Sequence, residues 1–134
     1  MIQIWFDGCC KGYPQGKISV GVVIKRDDKV IHTVSRYIGQ GVNMSSNVAE
    51  YEALQMALIY LNDRGLTDEM VEICGDSSLV INQMSGRWRI KKGLYKDAAL
   101  RTKDLLKCFT NLSFHWISRD KNTQADELSN LGAR

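Results

Sequence analysis

The chain has little of what several common site chemistries require. Its cysteines, Cys9, Cys10, Cys74 and Cys108, form no CxxC pair, and His32 and His115 are its only histidines. Zinc sites draw on Cys and His at short spacings, so a structural zinc site is set aside and free thiols in a reducing compartment are expected. No apolar run approaches the roughly 20 residues of a membrane-spanning helix, and no basic-then-apolar leader opens the sequence. Retention in the cytoplasm, away from membranes, is the expectation. No GxSxG, no HExxH and no Gly-rich loop followed by Lys-Ser/Thr occurs, and Gly21 stands alone in a strand-like run. Repeats, low-complexity tracts and linkers are missing too. Both histidines fall in strand patterns, where a satisfied structural role is the expectation.

What is present fits one compact domain spanning residues 1–134, with 44% hydrophobic and 25% charged residues. The net charge of +3 is unevenly placed. Arg87, Arg89, Lys91, Lys92 and Lys96 lie in a stretch, Gly86 to Lys96, that contains no acid. Without these five, 13 basic residues face 15 acids, so this one segment carries the whole positive excess. Trp88 and Tyr95 add stacking surfaces among the cations. That composition suits a nucleic-acid backbone, and it suits a solvated basic loop equally well.

Ile2, Ile4 and Phe6 alternate with Gln3, Trp5 and Asp7, which predicts a strand ending at Gly8. Gly12 to Gly16 reads as a turn. The β-branched runs Ile18 to Ile24 and Val30 to Ile38, joined through Asp27-Asp28-Lys29, predict a hairpin. Asn47 to about Arg64 reads as a helix, with Asn47 as its cap and Gly65 as its stop. Met70 to Gly75 is a predicted strand, followed by a short helix from Ser77 to about Met84. A helix from Lys96 to Lys107, a strand from Leu112 to Ile117 and a helix from Thr123 to about Leu131 complete the order. Three antiparallel strands followed by strands alternating with helices predict an α/β fold with a mixed sheet flanked by helices.

Four acids stand at the edges of these segments: Asp7, Glu50, Asp76 and Asp126. Each has a structural alternative. Glu50 stands three residues after Asn47, as in a capping box, and Asp76 and Asp126 lie near helix N-termini, where the macrodipole favours a carboxylate. Asp7 is harder to explain that way, because Asp is depleted in strands. Leu54, Ala57, Leu58 and Leu61 follow Glu50 at helical spacing, so Glu50 heads the apolar stripe. Carboxylates converging on one point repel unless divalent cations hold them, and an oxygen-only set suits Mg²⁺.

These segments resemble the type 1 ribonuclease H family. The likeness runs through Phe6-Asp7-Gly8, Asn47-Val48-Ala49-Glu50-Tyr51-Glu52-Ala53-Leu54, Gly75-Asp76-Ser77-Ser78-Leu79-Val80-Ile81-Asn82-Gln83 and Asn122-Thr123-Gln124-Ala125-Asp126-Glu127-Leu128-Ser129. It implies a ribonuclease H-like fold with a five-stranded mixed sheet. The implied activity is endonucleolytic cleavage of the RNA strand of an RNA–DNA hybrid, leaving 5′-phosphate and 3′-hydroxyl ends. The cofactor would be two Mg²⁺ ions, with Mn²⁺ as a substitute. By motif position, Asp7 would bridge both metals, Asp126 would help hold the ion that activates water, and Glu50 and Asp76 would hold the ion on the leaving 3′-oxygen. Asn47 and the backbone at Gly8 and Cys9 resemble elements facing the RNA minor groove. Ser45 and Ser77 match positions that hold a phosphate of the DNA strand, and Trp88 resembles an aromatic lying along that strand. Arg87, Arg89, Lys91 and Lys92 complete the nucleic-acid-binding set. No obligate protein partner is implied.

The chain departs from the family pattern in several places. Where many members carry a flexible His before the last acid, this sequence has Ser118-Arg119-Asp120-Lys121-Asn122. Arg119 is the nearest candidate for that role, although a guanidinium cannot act as a base. Tyr13 stands where Asn is common, Val48 where Arg often occurs, and Ser78 where Gln is frequent. The stretch from Gln83 to Asp97 is too short for an additional basic helix, and Arg87 to Lys96 is the candidate substitute. Substrate range could therefore extend to RNA duplexes. The alternative function is a non-catalytic hybrid- or duplex-binding domain on the same fold, with a DNA nuclease of related fold as a third reading.

Overall fold

A computed structural model describes residues 1–12 and 16–133. In chain order the elements are β1 (Ile2–Lys11), β2 (Gly16–Arg26), β3 (Lys29–Gly41), α1 (Ser46–Asp63), β4 (Val71–Gly75), α2 (Ser78–Met84), α3 (Lys96–Leu106), β5 (Leu112–Trp116) and α4 (Thr123–Gly132), with a single 3₁₀ turn at Arg119–Lys121. The strands form one five-stranded sheet in the order β3-β2-β1-β4-β5. β1 pairs antiparallel with β2 and β2 with β3, whereas β1–β4 and β4–β5 are parallel. The mixed sheet and its order of pairing agree with the expectation from sequence. No helix among the described residues is long and apolar enough to cross a membrane.

Alternation along β1 buries Ile2, Ile4 and Phe6 against Leu54, Leu58 and Leu61 of α1, with Val20, Val22 and Ile24 of β2 in the same core. α1, α2 and α3 pack with one another on this side, while α4 packs on β1, β2 and β3. The β2–β3 hairpin turns on Asp27 and Asp28 alone, whose φ values of 50° and 68° give the twist that a two-residue connection needs. Lys29 already belongs to β3.

Several boundaries differ from the sequence reading. β2 and β3 simply run longer than their β-branched cores, over Gly16–Arg26 and Lys29–Gly41. Three other differences bear on the acids. β1 does not end at Gly8 but runs on to Lys11, because residues from Gly8 to Lys11 pair with Val20 to Lys17. The cap of α1 is Ser45, whose Oγ accepts from the Val48 amide at 3.2 Å, so Asn47 lies inside the helix and no capping box forms. Ser77, not Asp76, caps α2 by accepting from the Val80 amide at 3.3 Å. The capping alternatives for Glu50 and Asp76 are therefore not realised. The turn from Gly12 to Gly16 and the position of Tyr13 fall largely on residues 13–15, which lie outside the described residues.

Candidate active site

The parallel register sets Phe6 of β1 level with Gly75 of β4, so Asp7, still within β1, and Asp76, just past the end of β4, follow side by side. The missing side chain at Gly8 then matters. A Cβ there would strike the Ala49 carbonyl carbon and the Glu50 amide, so only glycine lets the first turn of α1 lie against β1. That approach brings Glu50 to Asp7. One carboxylate oxygen from each of Asp7, Glu50 and Asp76 lies within 4.8 Å of the others.

Asp126 enters from the opposite layer. Gly21 of β2 pairs with Asp7, and a Cβ at Gly21 would sit 2.5 Å from the Ser129 amide and against the Ala125 carbonyl. Glycine here lets α4 approach the sheet closely enough for Asp126 to interact with Asp7. Gly21→Ala is accordingly expected to destabilise the protein by about 1–3 kcal/mol, read as a lower denaturation midpoint. An unchanged midpoint would show that α4 shifts freely. Asp126 itself stands outside the tight cluster of three but lines the same cleft of about 470 Å³, with Gly8, Cys9, Ser46, Trp116, Arg119 and Asn130 on its walls.

The electrostatics follow from burial. Asp7 is 6% exposed and Glu50 8%. Burial pushes the Asp7 carboxyl up to about 6; the hydrogen bond with Glu50 opposes the rise, and the charges of Asp76 and Asp126 add to it. Burial, then the Asp7 charge, holds Glu50 well above the usual carboxylate range, partly offset by the Gly8 backbone. Two carboxylates hydrogen-bonded to each other need a proton between them, so the metal-free cluster carries less than its formal charge. Glu50 Oε2 is buried with no hydrogen-bond partner. A buried oxygen without a donor, on a carboxylate clustered with two others, is what a cation ligand looks like before the cation binds.

Several residues that hold the site were not singled out in the sequence. Ser129 Oγ donates to Asp7 Oδ2 at 3.2 Å. Asn122 is 1% exposed, and its Nδ2 donates to the Phe6 carbonyl at 2.9 Å and reaches Asp76 Oδ2 at 3.5 Å. Asn130 Nδ2 lies 3.3 Å from Asp126 Oδ1. No local pattern marks Asn122 and Ser129, because their partners are far away in sequence, whereas Asn130 stands one helical turn after Asp126. Position just before or inside the helix that carries Asp126 was the only available hint.

The remaining candidates are spread along the surface. Arg119 is largely exposed, with Nη2 3.8 Å from Asp126 Oδ1. Ser45 and Ser77 cap α1 and α2, and Asn47 lies in the first turn of α1. Trp88, Arg89 and Lys91 line a separate groove of about 490 Å³ with Leu79, Gln83 and Tyr95. Arg87 borders a neighbouring depression with Lys103, and Lys92 is exposed. His32 stacks on Tyr60 at 3.9 Å between ring centroids, and His115 bonds Ser113 Oγ at 3.0 Å; neither touches the acids.

A family profile described as reverse transcriptase-like matches residues 5–132. Ribonuclease HI of Halobacterium salinarum is 34% identical over 130 residues, which cover 96% of this chain and 62% of that protein. LC11-RNase H1, solved in complex with an RNA/DNA hybrid, is 37% identical with a TM-score of 0.88, covering 99% of this chain and 96% of that one. The N-terminal RNase H domain of a Mycobacterium tuberculosis protein is 30% identical with a TM-score of 0.87, covering 99% and 98%. The chain spans 34% of the full-length mycobacterial protein. With the order of strands, the acidic cleft and the extent of these matches in agreement, the chain belongs to the reverse transcriptase-like family and to the type 1 ribonucleases H.

Proposed function

We propose that this chain is a metal-dependent endonuclease that hydrolyses the RNA strand of RNA–DNA hybrids, as one ribonuclease H-like domain over residues 1–134. The observation that carries the reading is the cluster of Asp7, Glu50 and Asp76 within 4.8 Å, with a buried Glu50 oxygen left unpartnered. These oxygens fit Mg²⁺ or Mn²⁺, which favour carboxylate and water ligands; Cys9 and Cys10 line the cleft but stand outside the cluster of three. Asp7, Glu50, Asp76 and Asp126 would hold the ions. Bound divalent cations supply a water-derived nucleophile at neutral pH and stabilise charge on the leaving 3′-oxygen. In the overall hydrolysis, the water oxygen bonds to phosphorus as the bond to the 3′-oxygen breaks. The 3′-oxygen takes a proton, and the phosphate stays on the 5′-oxygen of the downstream fragment.

The chain's own residues do the positioning. Asn122 and Ser129 fix the carboxylates of Asp76 and Asp7, which removes reorganisation from the reaction. The backbone at Gly8 and Cys9, with Asn47, would meet the RNA strand, where the 2′-hydroxyl separates RNA from DNA. α2 starts two residues after Asp76 and ends at the basic groove, roughly 10 Å along at 1.5 Å per residue. A strand leaving the cleft along α2 would thus meet Trp88, Arg89 and Lys91 while Ser45 and Ser77 hold a phosphate of the DNA strand. Four free thiols fit a reducing compartment, and the cytoplasm is the proposed location.

The test is cleavage of labelled RNA–DNA, RNA–RNA and DNA–DNA duplexes with Mg²⁺, with Mn²⁺ and with chelator. Cleavage of the hybrid RNA strand only with metal, leaving 5′-phosphates, is expected. Binding without cleavage under every condition would favour the non-catalytic alternative. Arg119 neighbours Asp126 without being buried, and the proposed role for it is in turnover and not in the fold. Arg119→Ala is expected to lower turnover several-fold while hybrid affinity changes by less than about twofold, since an exposed pair contributes under about 1 kcal/mol. Unchanged turnover would remove Arg119 from the chemical or release step.

A further inference from the structure

A buried polar network at the far end of α2 has no part in holding the acids. Gln83 is 1% exposed. Its carbonyl oxygen accepts from the Tyr51 hydroxyl of α1. Its amide nitrogen donates to the Arg89 carbonyl at 3.0 Å and to the Tyr95 hydroxyl at 3.3 Å. The Tyr51 ring, fully buried, lies parallel to that of Tyr95 with centroids 6.2 Å apart. Both N–H groups of the amide are used, so a side chain that is costly to bury is satisfied.

The segment that this network grips has neither helix nor strand between Gly86 and Tyr95. An irregular segment keeps its shape only through the bonds and contacts it makes with ordered neighbours. Here the Trp88 amide donates to the Asn82 carbonyl at 3.0 Å, Ile90 packs on the core, and Gln83 holds Arg89 and Tyr95 together. Leu79, Trp88, Arg89, Lys91, Gln83 and Tyr95 enclose the basic groove that results.

We propose that Gln83 is a positioning residue, which with Tyr51 and Tyr95 latches residues 87–95 onto α1 and α2 and so presents Trp88, Arg89 and Lys91 as a preformed groove for a nucleic-acid strand. This rests on the hybrid-cleaving reading for its substrate, but not for its geometry. Ordering the loop during folding leaves less entropy to lose on binding, so the latch acts on affinity and not on bond breaking.

Gln83→Met keeps the length of the side chain and removes its three hydrogen bonds. Amide hydrogen exchange over residues 87–95, steady-state cleavage of an RNA–DNA hybrid in Mg²⁺, and hybrid binding without metal would be measured on the full chain. Exchange over this segment is expected to quicken at least about tenfold, with KM and Kd rising roughly five- to tenfold. kcat should stay within about twofold and the thermal shift produced by Mg²⁺ should be unchanged, since neither depends on the loop. Tyr95→Phe, which removes one bond and keeps the ring, should move the same readouts by a smaller factor. It carries the test if Gln83→Met does not fold. Unchanged exchange, faster exchange with unchanged KM and Kd, or a fall in kcat alone would each overturn the assignment. If the unsubstituted chain cleaves no hybrid, exchange and metal-free binding still decide the latch, and the failure belongs to the reading of the acids.

Discussion

Asp7→Asn is expected to abolish hybrid cleavage by at least about 10³-fold, close to 4 kcal/mol of transition-state stabilisation, while the protein remains folded. Asp7 is the one acid within reach of all three others: it shares the cluster with Glu50 and Asp76 and interacts with Asp126. Losing its charge would weaken the hold on any divalent cation bound there. The amide keeps the size and much of the hydrogen bonding of the carboxylate, and Ser129 Oγ can still donate to its carbonyl. Removal of one charge from a repelling cluster should leave the melting temperature unchanged or higher. Hybrid affinity in chelator should hold or improve, because a negative group beside phosphates is gone. Cleavage within tenfold of the unsubstituted chain would take Asp7 out of the chemistry. A collapsed melting temperature would make it a structural residue instead.

The second large effect concerns pH and metal together. In the metal-free protein the Asp7 carboxyl titrates at about 6, raised from 3.8 mainly by burial, and Glu50 is raised as well. A carboxyl with a raised folded pKa binds more protons when folded than when unfolded. Its stabilising protonation is fully present below about pH 4 and is lost as pH rises through about 6. Between pH 5 and 7.5 the metal-free protein should therefore lose stability on the order of 2 kcal/mol at this cluster. Mg²⁺ at millimolar concentration should restore it at pH 7.5 and do little at pH 5, where protons compete for the same oxygens. Melting curves at both pH values, with Mg²⁺ and with chelator, measure this directly. Asp7→Asn should flatten the pH dependence. If Mg²⁺ gave no shift at pH 7.5, the carboxylates would not form a preformed site.

Glu50 illustrates how far local pattern reaches. Its place at the head of the Leu54, Ala57, Leu58 and Leu61 stripe put it toward the core, and it is buried there. The same local pattern misplaced the cap, since Ser45 and Asn47 are both good capping residues and only the backbone path selects Ser45. β1 likewise outran its predicted end at Gly8. Its apolar alternation stops at Phe6, but pairing with β2 continues to Lys11 and is settled by a partner strand.

Residue order alone determined roughly which segments become strands and helices and singled out the four acids, because side-chain periodicity and capping act over one or two turns. It put Asp7 at a strand end, where the structure has it inside β1. Folding decided which of those acids meet. The level register of Phe6 with Gly75, the close approaches at Gly8 and Gly21, and the Asn122 bond to Phe6 across 116 residues depend on elements packing face to face. Gln83 belongs to this second kind: a glutamine on a short helix carries no mark of its role until Tyr51, Arg89 and Tyr95 close around it. Contacts between groups so far apart along the chain leave no periodic trace, since nothing but the packed core relates them.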